Sequence, residues 1–132
     1  MKKGEYYRHK WNKYVSKIIS IHGDAIELKT INSGVTETID RQHFNNNYEP
    51  CITIYQWRKT IESAFADCEI HLMGDCVRAN KDTTIIDFSI SNDKLVVCVT
   101  DDIKKLMGIE HNLLRYDIDD AEEIINSFAS LI

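Results

Sequence analysis

Seven carboxylates gather in the last third of the chain: Asp101 and Asp102, then Asp117, Asp119, Asp120, Glu122 and Glu123. Paired acids are the raw material of general acid–base catalysis, which needs two carboxyls in surroundings different enough to separate their pKa values. These pairs instead open apolar-patterned helical stretches, where the helix dipole favours negative charge without any catalytic role. Their density makes them a candidate surface for a protein partner carrying basic side chains. A second constellation, "CEIHLMGDC", places four side chains of zinc-ligand type, Cys68, His71, Asp75 and Cys76, within nine residues. It holds no C-x-x-C or H-x-x-x-H pair, and on a strand Cys68 and His71 point to opposite faces. No metal is expected there.

The third constellation is the opening "GEYYRHKWNKYVSK", where Tyr6, Tyr7, Trp11 and Tyr14 interleave with Arg8, Lys10, Lys13 and Lys17. Rings stack on bases while cations neutralise phosphates, so this mixture suits single-stranded nucleic acid. Strand parity divides it: Tyr7, His9 and Trp11 fall on one side, and Tyr6, Arg8 and Lys10 on the other. Tyr7 and Trp11 are expected in the core, which leaves Tyr6, Arg8, Lys10 and Lys13 as the possible nucleic-acid face. Other enzymatic signatures are missing. The five glycines form neither G-x-G-x-x-G nor G-x-x-x-x-G-K, no G-x-S-x-G occurs, and the five histidines are scattered singly. No enzymatic activity and no cofactor are expected; a site assembled from distant residues would need His71, Asp87 and Cys98 to line one pocket.

With 132 residues and 43% hydrophobic composition, the chain can bury a sizeable core in one domain or two small ones. No apolar run nears the roughly 18–20 residues that span a bilayer. The basic start has no apolar segment behind it, so no secretory signal is expected. Cysteines 51, 68, 76 and 98 sit in apolar-patterned stretches and read as small buried hydrophobes. A cytoplasmic setting follows as the expectation. Net charge is −5 but unevenly placed: residues 1–50 carry 8 basic and 6 acidic side chains, and residues 51–132 carry 8 and 15. A basic end on an acidic body is the main electrostatic fact about the chain.

The elements that must position these residues change period near residue 52. Before it, "YVSKIISIH", "AIELKTI" and "VTETI" alternate like strands, joined at Gly23-Asp24 and at Asn32-Ser33-Gly34. "EYYRHKW" adds a strand before them, and "DRQHFNN", a single helical turn, leads to the short strand "NYEPC". This order resembles the small β-barrels of the Tudor and Src-homology-three type over about residues 3–52, a resemblance of fold that implies no activity. After residue 52, Ile54, Trp57, Ile61, Ala64, Phe65 and Cys68 mark a helix of about four turns capped by Thr53. Strands follow at "EIHLM", "TTIIDFSI" and "KLVVCVT", with Asn92-Asp93 as a hairpin turn. A short helix from Asp101 to Met107 is stopped by Gly108, and the final helix opens with an Asp119/Glu122 capping box.

The expected fold is α+β: a small antiparallel barrel-like unit over 1–52, then a helix, three-stranded antiparallel sheet and helix over 53–132. No linker separates them, which leaves a shared core open as an arrangement. The leading functional expectation is a non-enzymatic binding module acting through the acidic surface against a basic protein partner. In size and charge it is similar to inhibitor, immunity and regulatory proteins of phages and toxin–immunity systems. The alternative is a nucleic-acid-associated adaptor using the basic-aromatic face. No membrane partner is expected.

Overall fold

Short turns set the topology of both halves. The structure is a computed structural model that describes residues 1–31 and 33–132. The chain is α+β, and it divides into two compact units, Met1–Ile52 and Thr53–Ile132.

In the first unit β1 (Tyr6–His9), β2 (Val15–His22), β3 (Ala25–Thr30) and β4 (Thr36–Asp40) form an antiparallel meander. Helix α1 (Arg41–Asn47) then returns the chain so that β5 (Tyr48–Pro50) pairs with β1. The sheet order is β4-β3-β2-β1-β5. Gly23 takes a φ of 61° in the two-residue turn that sets His22 opposite Ala25. Gly34 takes 70° in the next turn, whose first expected residue, Asn32, lies outside the described residues. The alternation reads true in β3, where Ile26 and Leu28 are fully buried. They form a core with Tyr7, Ile18, Phe44 and Tyr48.

The expected barrel does not close, because β4 and β5 are not hydrogen-bonded neighbours. Helix α1 spans the gap between these edges and drops Phe44 into the core, stacked on Tyr48 at 5.3 Å and edge-on to Tyr7 at 4.8 Å. The helix starts where Asp40 caps it, its carboxylate accepting from the His43 N–H at 2.7 Å. Across the same gap the Tyr48 hydroxyl donates to Glu37 at 3.3 Å.

The second unit begins with a 3-10 turn over Ile54–Trp57 that runs into α2 (Arg58–Ala64). The expected apolar face is present, with Ile54, Ile61 and Phe65 buried, but it is spread over two helical pieces rather than one long helix. The Thr53 N–H donates to the Gln56 side chain at 3.2 Å and orders the start. The sheet has five strands rather than the expected three: β6 (Glu69–Met73), β7 (Cys76–Lys81), β8 (Thr84–Ser91), β9 (Lys94–Val99) and β10 (Leu113–Asp117), paired as one continuous meander. Strand β7 was hidden by its weak pattern, since only Val77 and Ala79 are buried, alternating with Cys76, Arg78 and Asn80. Helix α3 (Asp101–Met107) fills the connection from β9 to β10 and stops at Gly108, at a φ of 68°.

Helix α4 (Ala121–Ala129) follows a 3-10 turn over Ile118–Asp120. Asp119 lies inside that turn and Asp120 takes the cap position without a side-chain bond, so the expected capping box does not form. One face of the sheet packs its apolar side chains with those of α2 and α4. Phe88 meets Phe65 at 5.7 Å and Phe128 at 6.3 Å, both edge-on. The opposite face carries Arg78, Asp87 and Cys98. Cys98 is exposed and the other three cysteines are half-buried, so none is the fully buried hydrophobe expected.

Candidate functional site

The β1–β2 connection corrects the strand-parity reading of the opening segment. Strand β1 ends at His9, so parity holds for Tyr7, which is buried, and fails for Trp11, which is 77% exposed. Tyr14, just before β2, is 61% exposed. Between them the backbone is tied down. The His9 N–H donates to the Tyr14 carbonyl at 2.9 Å, and the Lys13 N–H donates to the His9 carbonyl at 3.0 Å. The N–H groups of Trp11 and Asn12 both donate to His9 Nδ1, at 3.2 and 3.3 Å. His9 Nδ1 is therefore an acceptor, which puts the proton of the neutral ring on Nε2. The Asn12 side chain accepts from the Tyr14 N–H at 2.9 Å, the Asx-turn geometry that asparagine supplies at a tip.

Two supports hold this tip from the rest of the unit. The Asn47 carbonyl accepts from the Lys10 N–H at 2.8 Å, and the Asn47 side chain accepts from Trp11 Nε1 at 3.2 Å. The His9 ring also packs edge-on against Tyr48 at 5.0 Å. Lys13 holds a φ of 66°, a left-handed conformation that costs a lysine about 1 kcal/mol. The tip thus presents two rings, Trp11 and Tyr14, beside Lys10 and Lys13. Tyr6 and Arg8 lie back along β1 instead. Lys17 Nζ sits over the Tyr6 ring at 5.9 Å, and Arg8 faces Glu49 and Val15 in the neighbouring strands. Trp11 and Tyr14 are the residues that sequence reasoning placed wrongly or left aside. Asn12 was the available signal, a turn former directly after the assumed strand "EYYRHKW".

The seven acidic residues separate into two groups. Asp101 and Asp102 open α3, beyond Val99 at one end of β9, while Asp117 pairs with Lys94 at its other end. The six residues of β9 hold these sites about 17 Å apart. Three of the acids are also bound internally. Asp101 accepts from Asn112 at 3.0 Å. Asp102 accepts from the Thr100 and Thr84 hydroxyls, which hold its carboxyl below the ordinary range. Lys94 does the same to Asp117 through a hydrogen bond and its charge. Asp119, Asp120, Glu122 and Glu123 are exposed, and no ion pair engages them among the described residues. They form the compact remainder of the acidic surface.

His71, Arg78, Asp87 and Cys98 occupy one cross-strand row on the open face of the second sheet. Arg78 takes Asp87 in a two-point ion pair, Nε to Oδ1 at 2.8 Å and Nη2 to Oδ2 at 3.0 Å. His71 and Cys98 stand at the ends of the row, about 14 Å apart, too far for proton transfer between them. Burial, reinforced by the Asp87 charge, pushes the Cys76 thiol up to about 11, the opposite of an activated nucleophile. A groove of about 530 Å³ is lined by His71 and Arg78 but by neither Asp87 nor Cys98. Cys68, His71, Asp75 and Cys76 are spread over the end of a turn, a strand, its hairpin and the next strand, and no three such side chains converge among the described residues. Comparison with protein-family models, curated proteins and solved structures finds no match, so the chemistry of these surfaces carries the functional reading.

Proposed function

We propose that this protein is a non-enzymatic binding module that engages single-stranded nucleic acid through the tip of the β1–β2 connection. The observation that carries the reading is the presentation of Trp11 and Tyr14, at 77% and 61% exposure, on a hydrogen-bonded tip beside Lys10 and Lys13. A tip already ordered loses little conformational entropy on binding. Stacking contributes about 1–3 kcal/mol per base. Two rings and two lysines therefore support weak, sequence-tolerant and salt-sensitive binding. Residues 1–50 carry a charge of +2 (8 basic, 6 acidic), which favours phosphate at this end of the chain despite the overall −5.

The test is fluorescence anisotropy with a labelled oligothymidine, read together with quenching of tryptophan emission. Binding at about 50 mM salt should weaken steeply by 200 mM, and changing both Lys10 and Lys13 to Glu should abolish it. An oligonucleotide that fails to bind at the lower salt removes the reading.

A second reading rests on a separate observation, the four exposed carboxylates Asp119, Asp120, Glu122 and Glu123 within five residues. They suit a basic protein surface, as in an inhibitor or immunity factor. Reversing all four to Lys should reduce capture of such a partner; unchanged capture removes these residues from the contact.

A further inference from the structure

Edge strands expose unpaired backbone N–H and C=O groups, and proteins blunt them with charge, proline or short length. Among the described residues the two sheets have four edges, β4 and β5 in the first unit, β6 and β10 in the second. Strand β5 is three residues long and ends in Pro50. Strand β4 carries Glu37 and Asp40. Strand β10 has Arg115 at its centre and Asp117, the partner of Lys94. Strand β6, Glu-Ile-His-Leu-Met, is unguarded: its one acidic or basic anchor, Glu69, stands at the far end. Leu72 and Met73 are 43% and 45% exposed there. The 530 Å³ groove is lined by Ile70, His71, Leu72 and Met73 with Arg78 and Asn80.

The hairpin register says which backbone groups are free. Met73 faces Cys76 across the two-residue turn Gly74-Asp75, so this pair exchanges the bonds that close the loop. Bonded pairs recur at His71–Arg78 and Glu69–Asn80, and the N–H and C=O of Ile70 and Leu72 point away from the sheet.

We propose that β6 pairs antiparallel with β6 of a second copy of this chain, centred on His71, in a two-fold dimer. In this register all five residues of each strand pair, and Ile70 of one copy meets Leu72 of the other, satisfying the four outward backbone groups of each strand. The side chains of Ile70 and Leu72 lie on the face that carries buried Val77 and Ala79, so the pairing extends the apolar layer across the two-fold axis. On the other face His71 meets its own copy. Glu69, which lies 3.4 Å from His71 within its strand, also stands diagonal to His71 of the second copy. A five-residue pairing buries less than the roughly 1,200 Å² of a standard interface, so the dimer dissociates on dilution.

Cysteine cross-linking reads the register directly, in a Cys76→Ser, Cys98→Ser background that removes the exposed thiol and the thiol facing residue 73. Residue 71 is the one position of β6 that meets itself, with Cα atoms about 4.5 Å apart, within disulfide reach. His71→Cys should give a covalent dimer on mild oxidation. Glu69→Cys and Met73→Cys should each cross-link at least about ten-fold less alone and regain it when mixed. Equal cross-linking at all three positions, or none at 71, overturns the proposal. In sedimentation equilibrium up to about 1 mM, the unmodified protein should show a concentration-dependent dimer, and Leu72→Lys should raise its Kd at least ten-fold with melting unchanged. A protein that stays monomeric throughout, or a dimer weakened by Leu113→Lys on β10 and not by Leu72→Lys, also overturns it.

Discussion

Trp11 and Tyr7 have similar sequence surroundings and opposite fates. Tyr7 lies inside a strand that pairs on both sides, so its ring enters the core; Trp11 lies two residues past the strand's end and its ring faces water. Trp11→Ala should therefore change stability by less than about 0.5 kcal/mol while removing most oligonucleotide binding. A matched loss of stability in chemical unfolding would show Trp11 to be a packing residue. Tyr48 gives a pH test at the same scale. Burial, with the Glu37 carboxylate beside it, pushes its phenol up to about 12. The folded chain keeps a proton that an unfolded tyrosine releases near 10, so this stabilisation is complete below about pH 10 and is lost as pH rises toward 12. Urea unfolding of the native chain and of Tyr48→Phe should show the extra alkaline decline, on the order of 2 kcal/mol, in the native chain alone. Parallel curves would overturn that account.

Short helices in this fold depend on their ends. Helix α1 is seven residues long, below the length at which an isolated helix holds in water, so its cap and Phe44 must stabilise it. Asp40→Ala removes the bond to the His43 N–H and should cost about 1 kcal/mol, seen as faster hydrogen exchange in the first unit. Gly108 ends α3 at a φ of 68°, which favours a residue without Cβ. Gly108→Ala should cost about 1 kcal/mol, although a Cβ there meets no atom within 4 Å, and chemical unfolding measures the loss. The extra strands of the second sheet belong to this scale too. Gly74-Asp75 marks the end of β6 as a hairpin, and with that turn recognised β7 must follow as its partner. The weak apolar pattern of β7, with only Val77 and Ala79 buried, is what concealed it.

At the scale of the whole chain, each unit has its own apolar cluster, Tyr7 to Tyr48 in the first and Ile54 to Phe128 in the second. Phe88→Ala, at the centre of the second cluster, should cost about 3–5 kcal/mol, with amide protection lost first among residues 53–132. Loss that begins in residues 1–52 would contradict the assignment of Phe88 to the second core. Charge follows the same division: residues 53–132 hold a balance of −7, with 8 basic and 15 acidic side chains. Raising salt should therefore weaken oligonucleotide binding at the first unit and also any basic-protein contact at Asp119–Glu123, so salt dependence by itself does not separate the two readings. The Lys10/Lys13 and acidic-tract reversals do.

The sequence alone determined whatever local periodicity and turn chemistry determine: the α+β class, the meander through β2, β3 and β4, the helical turn at "DRQHFNN" and the stop at Gly108. Tertiary structure decided the rest. The barrel stays open because α1 spans the edges that would have closed it, and no local pattern reports where a helix will lodge. The acids of α3 and α4 stand apart because β9 runs between them, a separation set by strand pairing across distant residues. Trp11 is exposed because β1 stops at His9, where its pairing with β2 and β5 ends. Parity predicts a face only while a strand lasts, and the partners that end it come from elsewhere in the chain.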